Sequence, residues 1–169
     1  MHAAIDPMYC TMTRRIFFSF HVESDLWRVN QLRAHLLTSD VHQVGFFDAQ
    51  EYEELLRARK STIGRVIRER MAGTSVTIVL IGSETASRPF VHLAIEESLA
   101  NRNGLLGIRI HGIEGPDGEP AAPGPEPILP SEVPFPTYTW DWDLERLQRE
   151  IDLAEKRAER WRSGLRLRG

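Results

Sequence analysis

The chain has one cysteine, Cys10, among its 169 residues. A single thiol excludes an internal disulfide and suits a reducing compartment. No stretch approaches the ~18 consecutive apolar residues that a membrane span requires. The opening MHAAIDPMYCTMTRR also lacks the apolar run of a secretory signal. We therefore expect a cytoplasmic protein, with residues 1–13 as a disordered leader of uncertain start site. An excess of either charge is lacking as well. The net charge of −3 draws the chain toward neither nucleic acid nor an anionic membrane, so neither is expected as a partner.

Several chemical devices are missing. There is no G-x-x-x-x-G-K-[ST] phosphate loop and no G-x-G-x-x-G after the first apolar run. No G-x-S-x-G offers a nucleophile elbow. The six histidines and one cysteine show no zinc-ligand spacing, so no metal is expected.

What is present is an alternation of two periodicities. RIFFSF (15–20), QVGFFDA (43–49), SVTIVLIG (75–82) and LLGIRIH (105–111) are compact and apolar, as expected of buried strands. Between them, Leu26, Val29, Leu32 and Leu36 recur at helical spacing, with Asp25 as a plausible N-cap. Residues 51–73 read as helical, with an interruption at Gly64 and a stop at Gly73. FVHLAIEESLANRNG adds a helix and a turn at Asn103-Gly104. This alternation predicts a parallel sheet with helices on both faces, a three-layer α/β fold. Eight of the ten prolines then fall within 112–136, marking a long loop or flap. A TYTW edge strand and an amphipathic helix follow, the latter with Leu144, Leu147, Ile151, Leu153, Ala154 and Trp161 as inner residues. The domain plan is a 14–113 core, a 114–136 loop, and a 137–169 strand and helix packing on the core.

An open parallel sheet binds ligands at the carboxyl ends of its strands. Ser19, Phe20 and His21, then Asp48, Ser83 and His111, stand at those ends. Each has an ordinary reading. His21 serves a turn, Asp48 forms one, Ser83 caps a helix with support from Glu84, and His111 ends a strand. Their convergence at one edge is more telling than any of them alone.

Four segments, RIFFSFHVESDLWRVNQLR, GFFDAQEYEE, GTSVTIVLIGSETASRPFVHLAIEES and NRNGLLGIRIHGI, together resemble the TIR-like proteins of bacterial Thoeris anti-phage systems over roughly residues 14–113. The resemblance implies a flavodoxin-like fold and cleavage of NAD⁺ at its nicotinamide–ribose bond, by a glycohydrolase or cyclase. NAD⁺ would be substrate, and an ADP-ribose-derived signal nucleotide would diffuse to a separate effector. A phage-derived trigger and homo-oligomer formation on activation are implied partners. Nicotinamide leaves as a neutral ring, so the site chiefly needs a carboxylate near the ribose to stabilise an oxocarbenium-like centre. Phe18, Phe20 and Phe90 would supply aromatic walls.

In TIR enzymes the catalytic glutamate lies in a W-V-x-x-E-I pattern. Laid on PFVHLAIEES, that pattern puts Phe90 at the tryptophan, Val91 at the valine, Ile95 at the isoleucine and Ala94 at the glutamate. Glu96 points ~200° away from Ala94 around a helix, and Glu97 ~60° away and ~4.5 Å further along. Neither inherits the role. The chain is therefore expected to be inactive, as a naturally inactive TIR protein or an engineered glutamate-to-alanine variant, the intact flanks favouring the second. The alternative function is a non-catalytic TIR interaction or scaffold module.

Overall fold

The computed structural model describes residues 14–36 and 42–166. The leader at 1–13 lies outside the described residues. The elements run β1 (Arg14–Ser19), α1 (Val22–Leu36), β2 (His42–Gly45), α2 (Ala49–Leu56), α3 (Lys60–Met71), β3 (Val76–Ile81), a 3₁₀ turn (Thr85–Ser87), α4 (Pro89–Ala100), β4 (Gly104–Arg109), β5 (Thr137–Thr139) and α5 (Leu144–Arg166). The five described strands form one sheet in the order β2-β1-β3-β4-β5. Every pairing is parallel. This is the flavodoxin-like order, whose direction of winding reverses between β1 and β3.

Side-chain alternation along the strands divides the core. Ile16, Phe18, Val76, Ile78, Leu80, Leu106 and Ile108 face α1 and α5, where they meet Val29, Leu32, Leu147 and Ile151. Phe17 faces the other side and packs with Ile67 and Met71 of α3 and Ala94 of α4. Val79, Ile81 and Leu105 complete that side against Val91 and Ile95. Strand runs apolar at both parities are thus explained by helices on both faces. Each fully buried side chain of this kind contributes about 1.5–3 kcal/mol.

Several local features differ from the sequence reading, each for a physical reason. α1 begins at Val22, with the His21 carbonyl accepting the Asp25 N–H at 3.0 Å. Asp25 is therefore a buried residue of the first turn, and not the N-cap. The helical stretch after Asp48 breaks at residues 57–59, while Gly64 lies buried inside α3. A Cβ at Gly64 would touch the Glu97 carboxylate at 3.3 Å, so this glycine serves helix–helix approach. The turn after α4 uses Arg102 at φ 61°, and Asn103 is buried, bonding Thr74 and Thr77. On α5, Leu153 is exposed, and Ala158 joins Leu147, Ile151 and Ala154 among the buried residues.

The proline-rich segment is tied down as a strap. Arg28 donates from Nε to the Ile113 carbonyl at 2.9 Å, and Gln31 donates to the Glu114 carbonyl at 2.6 Å. Arg109 bonds the Gly124 carbonyl at 3.1 Å and pairs with Glu126 at 2.6 Å. Gly124 sits so close to the end of β3 that a Cβ there would lie 2.2 Å from the Gly82 carbonyl oxygen. The strap therefore covers the carboxyl edge over β3 and β4. Among the described residues, no helix is long and apolar enough to cross a membrane.

Candidate functional site

With the strap lying over β3 and β4, the polar groups around the β1/β3 junction gather at one mouth. β1 delivers Ser19, and Phe20 and His21 follow it directly. Glu84 follows β3, and Arg88 and Phe90 come from the start of α4. His21 is 3% exposed, with Nδ1 2.7 Å from Ser24 Oγ and 3.8 Å from Glu84. Its Nε2 lies 3.7 Å from Glu23. Arg88 pairs with Glu84 at 2.9 Å. Tyr52 of α2 stands edge-on to Phe90 at 5.3 Å between ring centroids. Burial, and after it the charge of Glu23, pushes the Tyr52 phenol up, while Arg88 pulls it down. Tyr52, Glu23 and Arg88 therefore share one electrostatic neighbourhood.

Several buried polar atoms in this region are unsatisfied, Arg88 Nε among them. Ser19 Oγ and His21 Nε2 find no hydrogen-bond partner among the described residues. Buried polar groups are nearly always paired, so orphans at a strand end point to a binding surface. Beneath the mouth lies a slot of about 10 Å³ lined by Phe17, Phe18, Ser19, Phe20, Val22, Phe47 and Phe90.

The remaining expected site residues separate. Phe18 and Phe20 contribute rings to the main core. Phe90 is only partly buried, and stands edge-on to both Phe47, at 5.4 Å, and Tyr52. Asp48 faces elsewhere. It caps α2 in a reciprocal capping box with Glu51, and borders a cavity of about 410 Å³ that Arg15, Glu51 and Arg70 also line. Ser83 caps no helix. α4 starts later, at Pro89, and the Thr85 hydroxyl instead accepts the Gly82 N–H at 2.8 Å. His111 is half-buried, and its Nδ1 has no partner among the described residues.

Ala94 is fully buried and belongs to the apolar cluster of Phe17, Phe47, Leu55, Ile67 and Met71, with Phe90 packed against it. Glu97 is committed elsewhere, in a bidentate pair with Arg68 of α3 at 2.9 and 3.0 Å. Glu96 is exposed. Sequence reasoning gave Glu84 only a supporting part in a helix cap and assigned Glu23, Tyr52 and Arg88 no site role. The available signal for Glu84 was its place three residues after the clearest strand, at the edge where ligands bind.

The family model described as "Thoeris protein ThsB, TIR-like domain" matches residues 17–114. A relative from Bacillus cereus (strain MSX-D12), named "Putative cyclic ADP-D-ribose synthase ThsB1", is 36% identical over 119 residues, covering 69% of this chain. The aligned region spans 62% of that relative's length. The family-model match ends at residue 114, where the strap begins, so it covers the β1–β4 unit and its carboxyl edge. This chain belongs to the Thoeris ThsB TIR-like family.

Proposed function

We propose that this chain acts on the NAD⁺ side of a Thoeris signalling system, in a form that binds the dinucleotide without turning it over. By this reading the family activity is a cytoplasmic NAD⁺ nucleosidase or cyclase. It breaks the nicotinamide–ribose bond and makes an ADP-ribose-derived signal nucleotide for a separate effector. The observation that carries the reading is the mouth between β1 and β3, with its orphaned Ser19 Oγ and His21 Nε2, carboxylates and aromatic edges. It lies where a flavodoxin-like sheet takes a nucleotide. The name of the Bacillus cereus relative supports NAD⁺ as the substrate class.

The residues divide the task. Phe90 and Tyr52 offer ring surface to a base or to nicotinamide. Ser19, Phe20 and His21 line the floor. The carboxylate that would stabilise the oxocarbenium-like ribose is absent at Ala94, so bond cleavage is not expected of this chain. Ala94→Glu, assayed for NAD⁺ loss with a phage-infected lysate as the trigger, tests the reading. Absence of turnover in a folded variant would sink it.

A second reading rests on the slot itself. At about 10 Å³, with Phe47 and Phe90 closing on it, it leaves no room for a ribose as it stands. That favours an interaction or scaffold module working by assembly. Failure to bind NAD⁺, together with assembly onto a partner TIR protein, would support this alternative.

A further inference from the structure

The carboxylate missing from α4 has a counterpart on the β3–α4 connection. Glu84 is half-exposed at the mouth, where it pairs with Arg88 at 2.9 Å and lies 3.8 Å from Nδ1 of the buried His21 ring. The ring is in turn fixed by Ser24 Oγ at 2.7 Å, leaving Nε2 without a hydrogen-bond partner among the described residues. A surface glutamate serving solubility alone needs no such support. This one stands 3.8 Å from a buried imidazole, at the same carboxyl edge of the sheet as the orphaned serine hydroxyl that ends β1.

We propose that Glu84 is the ribose-binding carboxylate of this chain, and that His21 is the residue that positions it. The ligand class is a nucleotide carrying a free vicinal diol, and the inference rests on the NAD⁺ reading above. A carboxylate accepts both hydroxyls of a diol through charge-assisted hydrogen bonds, which a glutamine accepts only weakly. The pairing with Arg88 at 2.9 Å fixes where the Glu84 carboxylate stands. Ser19 Oγ, at the end of β1, is the second polar contact available on the floor. By this assignment diol recognition and bond cleavage are separable. The first belongs to the β3–α4 connection, the second to position 94.

The test is calorimetric titration of the full chain with NAD⁺, and with an NAD⁺ analogue lacking the 2′-hydroxyl of the nicotinamide ribose. The variants are Glu84→Gln, His21→Ala, Ala94→Glu and the Ala94→Glu/Glu84→Gln pair, with the remote Glu97→Gln as control. Glu84→Gln changes an exposed group and should fold normally. It should weaken NAD⁺ binding roughly ten- to a hundredfold and erase the preference for NAD⁺ over the deoxy analogue. His21→Ala should reduce that preference in part, and Glu97→Gln should leave it intact. NAD⁺ binding with an unchanged preference in Glu84→Gln would overturn the assignment while leaving the NAD⁺ reading in place. The assignment also fails if the chain binds only as Ala94→Glu and adding Glu84→Gln costs that variant nothing. No binding by either the unaltered chain or Ala94→Glu would overturn the NAD⁺ reading, and the assignment with it.

Discussion

Asp25 lies against Gly82 so closely that only hydrogen fits at that position. A Cβ on Gly82 would stand 2.2 Å from Asp25 Oδ2 and 2.7 Å from its Cγ. The first turn of α1 is thereby seated on the end of β3, which sets the spacing of His21 and Glu84 across the mouth. Gly82→Ala must push a buried carboxylate out of place. It should cost about 1–3 kcal/mol, a fall of several degrees in Tm by calorimetry. An unchanged Tm would mean that α1 and β3 are not locked together here.

Asp25 also makes stability depend on pH in a particular direction. Burial pushes its carboxyl above the ordinary value of 3.8, with Arg28, 3.5 Å away, opposing the shift. Between the unfolded and folded pKa values the folded state holds the extra proton. This group's contribution is therefore fully present below 3.8 and is lost as pH rises through the raised value. Asp25→Asn cannot ionise. Urea unfolding of both proteins across that window should show the unaltered chain losing stability relative to Asp25→Asn as pH rises. A constant difference between the two would contradict the burial.

The strap depends on Gly124. A Cβ there would meet the Gly82 carbonyl oxygen at 2.2 Å and the Ser83 carbonyl oxygen at 2.6 Å, and backbone cannot swing aside as a side chain can. Gly124→Ala should lift the strap and expose the amides it protects. In hydrogen exchange, Ala121, whose N–H bonds the His111 carbonyl at 2.8 Å, should lose protection while β1 keeps its own.

Placing an acid at position 94 carries a stability cost of its own. Ala94 belongs to the buried apolar cluster of Phe17, Phe47, Leu55, Ile67 and Met71, none of which can solvate a carboxylate. An ionised glutamate there costs several kcal/mol unless the rings part to admit water or a ligand. Ala94→Glu should therefore unfold at lower denaturant than the parent at pH 7, with the gap narrowing as pH falls and the new acid protonates. NAD⁺ should recover part of the loss.

The sheet was legible because its strands are short apolar runs, such as VTIVLI, divided by helical periodicity. The order β2-β1-β3-β4-β5 was implied only by the family resemblance, because the same runs and right-handed crossovers permit other doubly wound orders. The break at 57–59 was hidden because Arg57, Ala58 and Arg59 are ordinary helix formers with no glycine or proline among them. Asp25 looked like a cap because acids favour that place, whereas its burial is imposed by Gly82, 57 positions away in the sequence. The strand-end rule brought Ser19 and His21 to the mouth. It did not separate Asp48, because the capping box with Glu51 turns that carboxylate toward its own helix. Glu84 stayed out of sight because its meaning comes from Arg88 and His21 closing on it in space.

The most direct measurement is mass spectrometry of NAD⁺ incubated with the unaltered chain and with Ala94→Glu, trigger present. Nicotinamide and an ADP-ribose-derived product are expected from Ala94→Glu alone, with NAD⁺ intact beside the parent chain. Turnover by the parent, or none by a folded Ala94→Glu protein that binds NAD⁺, would contradict a site silenced at position 94.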